Sequence, residues 1–168
     1  PVCGVAVPSS AVHAIVKHLH DIERQPLQQK RWGVYSHRIT NTGHPLLRNI
    51  NTRFDVPHSR NNDVSPEQLQ AAGFKILVEG SDSGVHMAVS PDMFRIVYLQ
   101  GHPEYDRVSL LKEYKREVVR YFEGEREIYP ESPENYFSPN IDKIIQRYRP
   151  AVMQAREKGD KMPAFPEA

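Results

Sequence analysis

The sequence predicts an α/β protein, and three observations point there. Residues 2–7, VCGVAV, form a continuous apolar run that gives way through Pro8, Ser9 and Ser10 to a helical repeat. Residues 74–79, 85–89 and 94–99 are short β-branched and aromatic runs separated by tight turns, and residues 106–124 have helical periodicity. A strand that is apolar throughout belongs to a parallel sheet covered on both faces, whereas short turns join antiparallel hairpins. The expectation is a sheet with helices on both faces and an antiparallel hairpin addition.

The chain has 168 residues, enough for one domain with a real core. Its formal net charge is +1, with lysines and arginines dispersed, so neither nucleic acid nor a membrane surface is an expected partner. No apolar run approaches the roughly 18 to 20 residues of a membrane span, and the expected location is the cytoplasm. One cysteine excludes an internal disulfide framework, and eight histidines show no spacing of the HExxH kind, so no metal is expected. The apolar start without an initiator Met reads as a cut through a larger domain, and residues 159–168 read as a tail.

In chain order, Ala11, Ile15, Leu19 and Ile22 follow the helical period behind a serine N-cap. Strand, tight turn and helix in that order can present a nucleophile at a helix N-terminus, and they also occur with no catalytic residue there. Residues 30–39 alternate as a strand with Trp32, Val34 and Ser36 on one face. Residues 44–49 read as a short helical turn, and 53–56 as a strand emptying into a loop at Pro57-His58-Ser59-Arg60, where Arg60 either anchors a carboxylate or braces the loop. Ser65 and Pro66 open a short helix that Gly73 stops. Asp106 suits the N-cap of the next helix, whose buried face is Val108, Leu111, Tyr114, Val118, Val119 and Phe122. A proline-rich loop over 128–139 precedes a last helix, interrupted or kinked near Pro150 and continuing to Lys158.

The organising stretch is 94–106, FRIVYLQGHPEYD. A buried strand ends at Gly101, and the polar residues begin there. His102 and Glu104 stand two apart on a turn stiffened by Pro103, at the strand's C-terminal end, where open α/β sheets bind ligands. The alternative is a loop whose His and Glu are merely solvated.

GHPEYD, the following helix with EYKRE, KRWGVYSHRI and PHSR resemble, in order and separation, the homoserine O-acyltransferases (O-succinyl or O-acetyl) of methionine biosynthesis. The likeness covers most of residues 9–158. It implies a partial class I glutamine amidotransferase-like (flavodoxin-like) sheet, present as a portion of a larger acyltransferase domain. It further implies that His102 is the general base and Glu104 the third member of a triad whose nucleophile is cysteine in the family. Lys30 and Ser59 match substrate-contacting positions, and Arg116 matches an arginine that holds the amino-acid carboxylate. Without the resemblance, Lys30 reads as a solvated edge lysine and Arg116 as a partner of Glu113 or Glu117.

The nucleophile is where the sequence departs from the family. Cys3 lies in the middle of the 2–7 run, and making it the elbow would put Pro8 inside the following helix, at a cost of about 3 kcal/mol or more. Counting back from the GVY segment by the separation the family resemblance implies lands on Ser9, which is therefore expected nearest His102. The implied reaction is ping-pong acyl transfer from succinyl-CoA or acetyl-CoA to the hydroxyl of L-homoserine, with acyl-CoA as co-substrate and no cofactor. A homodimer is an allowed assembly. The competing readings are an amidotransferase-like hydrolase on the same fold and an inactive truncated relative.

Overall fold

Strand β1 (Val5–Pro8) passes straight into helix α1 (Ser9–His20) in the computed structural model, which describes residues 5–166 and gives side chains from residue 11 onward. Pro8 closes the strand, so the helix interior keeps all its N–H groups. The chain packs as two compact units, Pro1–Glu104 and Tyr105–Ala168.

In the first unit, β1, β2 (Gln25–Ile39), β3 (Arg53–Asp63), β4 (Lys75–Gly80), β5 (Gly84–Val89) and β6 (Ile96–Leu99) form one sheet in the order β1-β6-β5-β4-β2-β3. β1 and β6 are parallel, from Val5 opposite Ile96 to Pro8 opposite Leu99. All other neighbours are antiparallel, so the hairpin addition extends from β6 out to β3. Alternation splits the apolar residues between two faces. On one face, Val12 and Val16 of α1 and Leu69 of α2 (Pro66–Ala71) pack on Ile76, Val85, Ala88 and Tyr98. On the other, Leu47 of the 3₁₀ turn Pro45–Leu47 covers Leu77, Val78 and Val89.

The start of α2 is as its sequence predicts. The Ser65 hydroxyl accepts from the Gln68 N–H, and the Gln68 side chain accepts from the Ser65 N–H, a reciprocal capping box. Gly73 ends the helix at φ +83°, where a side chain would be strained.

β3 corrects the expectation of a strand ending at 56. It runs on through Pro57-His58-Ser59-Arg60 to Asp63, paired with β2. Pro57 has no N–H for a second neighbour, and an edge strand needs none on its outer side.

In the second unit, α3 (Ser109–Phe122) buries Leu110, Glu113, Tyr114, Val118 and Tyr121, while Val108 is exposed. The buried stripe keeps Tyr114 and Val118 of the predicted one and otherwise takes Leu110, Glu113 and Tyr121, and the helix begins three residues after Asp106. Asp106 instead builds the turn before it, accepting from the Val108 N–H at 3.0 Å and the Ser109 hydroxyl at 2.6 Å. α4 (Pro139–Lys158) starts from an N-cap at Ser138 and ends at Gly159, φ +68°. It is assigned as one helix through Pro150 rather than interrupted there. Pro150 lies on the exposed side, where water can take the carbonyl its ring leaves without a donor.

Candidate active site

The first unit brings two polar segments to the C-terminal edge of its parallel strand pair. Pro8 and Leu99 are partners at the ends of β1 and β6, so Ser9 follows one strand and the Gln100 to Glu104 turn follows the other. The backbone at Ser9 is the N-terminus of α1, as expected. Its side chain, and all of Cys3, lie outside the described residues.

On that turn His102 Nδ1 donates to Glu104 Oε1 at 2.8 Å, with His102 largely buried and Glu104 about half-exposed. The carboxylate can only accept, so Nδ1 carries a proton, the contact by which an acid orients a histidine base. The His102 N–H donates to the Pro57 carbonyl at 2.8 Å and joins the turn to β3.

Lys30 and Ser59 fall on one face of the β2–β3 ribbon. Trp32 is the register partner of Ser59, and the Lys30 ammonium sits 4.1 Å over the Trp32 ring, a cation–π contact. Arg116 belongs to α3 in the second unit, 64% exposed with Nε 3.7 Å from Glu117.

A layer of buried polar side chains behind the turn was not read from the sequence. His37, His58, His86, Arg60, Ser83 and Gln100 are all at most 4% exposed. The proton positions follow from which groups can only donate or only accept. Arg60 donates to His58 Nδ1, so His58 carries its proton on Nε2 and offers it to His37 Nε2 at 3.1 Å. His37 in turn donates from Nδ1 to the Tyr35 carbonyl at 2.8 Å, and the Ser83 hydroxyl reaches the same His37 Nε2 at 2.8 Å. The Gly101 N–H points at His86 Nδ1, 3.3 Å, which puts that ring's proton on Nε2.

Every ring is thereby neutral. Burial, and then neighbouring cations with Arg60 among them, hold the three histidines below the usual 6.5, His86 at about 3. The Arg60 guanidinium is itself pulled down to about 10 by burial, opposed by Asp63. Asp63 receives Arg31 at 2.7 Å and Arg60 at 3.2 Å, and both also donate to the Ser83 carbonyl. Arg60 is thus the brace of the two roles its position allowed. Among the described residues no group of three or more His, Cys, Asp and Glu is arranged to hold a metal ion.

Gln100 fixes the start of the turn. Its amide accepts from the Val64 N–H at 3.0 Å and from His13 of α1 at 3.4 Å, and donates to the Val64 and Val85 carbonyls at 3.1 Å. The signal for this layer was strand alternation: carried through PHSR, it sets Val56, His58 and Arg60 on one face and Ser59 on the other.

The fold is of the glutamine amidotransferase-like α/β class. A glutamine amidotransferase from Thermotoga maritima superposes with a TM-score of 0.53 over 90% of this chain and 61% of its own, at 11% identity, a likeness of fold alone. The homoserine O-succinyltransferase family model matches residues 7–151. Homoserine O-succinyltransferases from Methylococcus capsulatus and Thiothrix nivea are 55% and 56% identical over 157 residues. The chain belongs to the homoserine O-succinyltransferase family. It spans 94% of its own length but only 44% of theirs in those matches. Among the described residues no helix is long and apolar enough to cross a membrane.

Proposed function

We propose that this chain supplies the nucleophile, base and orienting acid of a homoserine O-succinyltransferase reaction in methionine biosynthesis, with succinyl-CoA as acyl donor and L-homoserine as acceptor. The observation that carries the reading is the 2.8 Å hydrogen bond from His102 to Glu104, at the edge where α1 begins, in a chain of this family.

In this reading His102 Nε2 takes the proton of the Ser9 hydroxyl as its oxygen attacks the thioester carbonyl. The tetrahedral oxyanion is met by N–H groups at the start of α1, each worth roughly 3 kcal/mol in comparable sites. The carbon–sulfur bond then breaks, and CoA leaves as the thiol with the proton from His102. Homoserine's hydroxyl, deprotonated by the same ring, attacks the acyl-serine, and the proton returns to Ser9 as O-succinylhomoserine departs. Glu104 stabilises the imidazolium between the steps. Lys30 and Ser59 contact substrate, and Arg116 holds the amino-acid carboxylate with its planar fork.

The test is intact-protein mass after incubation with succinyl-CoA, with the adduct mapped by digestion. Acylation of Ser9 that is lost in His102→Ala and increased in Ser9→Cys is expected. An adduct on Cys3 that survives Ser9→Ala would overturn the assignment, and no adduct in either the unsubstituted protein or Ser9→Cys would favour an inactive relative.

A further inference from the structure

We propose that His86 and His58, backed by Arg60, are positioning residues for His102: two neutral imidazoles form the floor on which the 100–102 backbone rests and so set the direction of the base. The inference rests on the reading of His102 as the base.

The floor is in close contact. A β-carbon built on Gly101 would lie 2.8 Å from His86 Nδ1, 2.9 Å from His58 Nε2 and 2.6 Å from a Val56 methyl, so the backbone sits on the two rings with no room for a side chain. Successive peptides are held as well. The Gln100 N–H donates to the His86 carbonyl at 2.8 Å, the Gly101 N–H faces His86 Nδ1, and the His102 N–H donates to the Pro57 carbonyl. The Arg60 guanidinium reaches the Gln100 carbonyl at 3.5 Å.

Neutrality is part of the arrangement. A protonated His86 would aim an N–H at the Gly101 N–H, two donors with no acceptor between them. The groups facing these rings are Arg31, Arg60, His37 and His102, with Asp55 acting on His37, and the Asp63 carboxylate is occupied by the two arginines. Buried, fully directed hydrogen bonds of this kind fix a single conformation. The turn inherits it, so the His102 ring can meet Glu104 through Nδ1 with no competing pose.

The experiment reads tautomers directly, without turnover. The chain is labelled with ring-¹⁵N histidine, and long-range ¹H–¹⁵N spectra are taken from pH 5 to 8. In the unsubstituted chain His58 and His86 are expected neutral with the proton on Nε2 across the range, and at pH 8, where the His102 tautomer is read in every variant, His102 with its proton on Nδ1. His86→Leu, with a native far-ultraviolet spectrum, is expected to lose the single Nδ1–H form of His102 to a mixture of tautomers. His86→Asn, whose side-chain oxygen can take the place of Nδ1, is expected to restore it. An unchanged His102 tautomer in folded His86→Leu overturns the proposal. If that variant does not fold, an Nδ1–H or charged His86 at pH 6 in the unsubstituted chain overturns it instead. Because no acyl-CoA is present, failure of Ser9 acylation leaves this result standing separately.

Discussion

The Nε2 atoms of His37 and His58 face each other at 3.1 Å on neighbouring strands, and one proton is shared between two buried, uncharged rings. Such a pair cannot accept a second proton without losing its hydrogen bond and setting a charge beside Arg60.

That fixes the sign of a pH effect. His37, His58 and His86 titrate below the usual 6.5 in the folded chain. The unfolded chain therefore binds more protons, and stability is fully present above pH 6.5 and lost as pH falls below it. Each ring contributes a slope of up to about 1.4 kcal/mol per pH unit. Urea midpoints of the first unit's transition should fall steeply from pH 7 to 5 and stay level from 7 to 8. A flat profile through pH 5 would contradict the buried neutral cluster.

Gly101→Ala should be costly although it adds one carbon. Its Cβ meets two ring nitrogens and a methyl at under 3.0 Å, and the rings are held by their own hydrogen bonds. A loss of about 1 to 3 kcal/mol is expected from overpacking, measured by chemical denaturation. His102 Nδ1–H should also exchange faster as the turn is pushed off its floor.

Ser65→Ala removes half of the α2 capping box and should cost about 1 kcal/mol. Local hydrogen exchange is the sensitive readout. The amide of Gln68, which loses its acceptor, should exchange faster, while those of β4 keep their protection.

Arg116→Lys tests the carboxylate clamp within the proposed reaction. Lysine keeps the charge and loses the two-pronged geometry, so KM for homoserine should rise about tenfold, the equivalent of about 1.4 kcal/mol. Acylation by succinyl-CoA, followed by mass, should hardly change. Equal loss of both half-reactions would instead make Arg116 a structural partner of Glu117, 3.7 Å away.

The local features were legible because they depend on nearest neighbours: the serine-proline start of α2, the strand-to-helix step at Ser9, the short hairpins, and the meeting of His102 with Glu104. What escaped was the partnership of PHSR. Read locally, a proline and three polar residues are a loop. Only an edge position excuses Pro57, and only buried acceptors from distant segments, Ser83 and Gln100 among them, make His58 and Arg60 tolerable inside. The same holds for α3, where Asp106 has the chemistry of a cap but spends it on the turn ahead of the helix. Alternation named Trp32, Val34 and Ser36 as one face correctly. It could not say that the other face, with Tyr35 and His37, would be the more buried one, while Val34 is half-buried and Ser36 exposed.

The parallel pairing of β1 with β6 joins Val5 to Ile96, across nearly the whole first unit, whereas β4 and β5 are joined by a tight turn. Loop-closure entropy and contact order put such a pairing late in folding. The strand that leads into Ser9 and the strand that leads into His102 therefore meet only after the antiparallel ribbon has formed. In a refolding experiment followed by pulsed hydrogen exchange, the amides of β4 and β5 should gain protection first and those of β1 and β6 last, so that the junction proposed to hold the chemistry is the last part of the sheet to close.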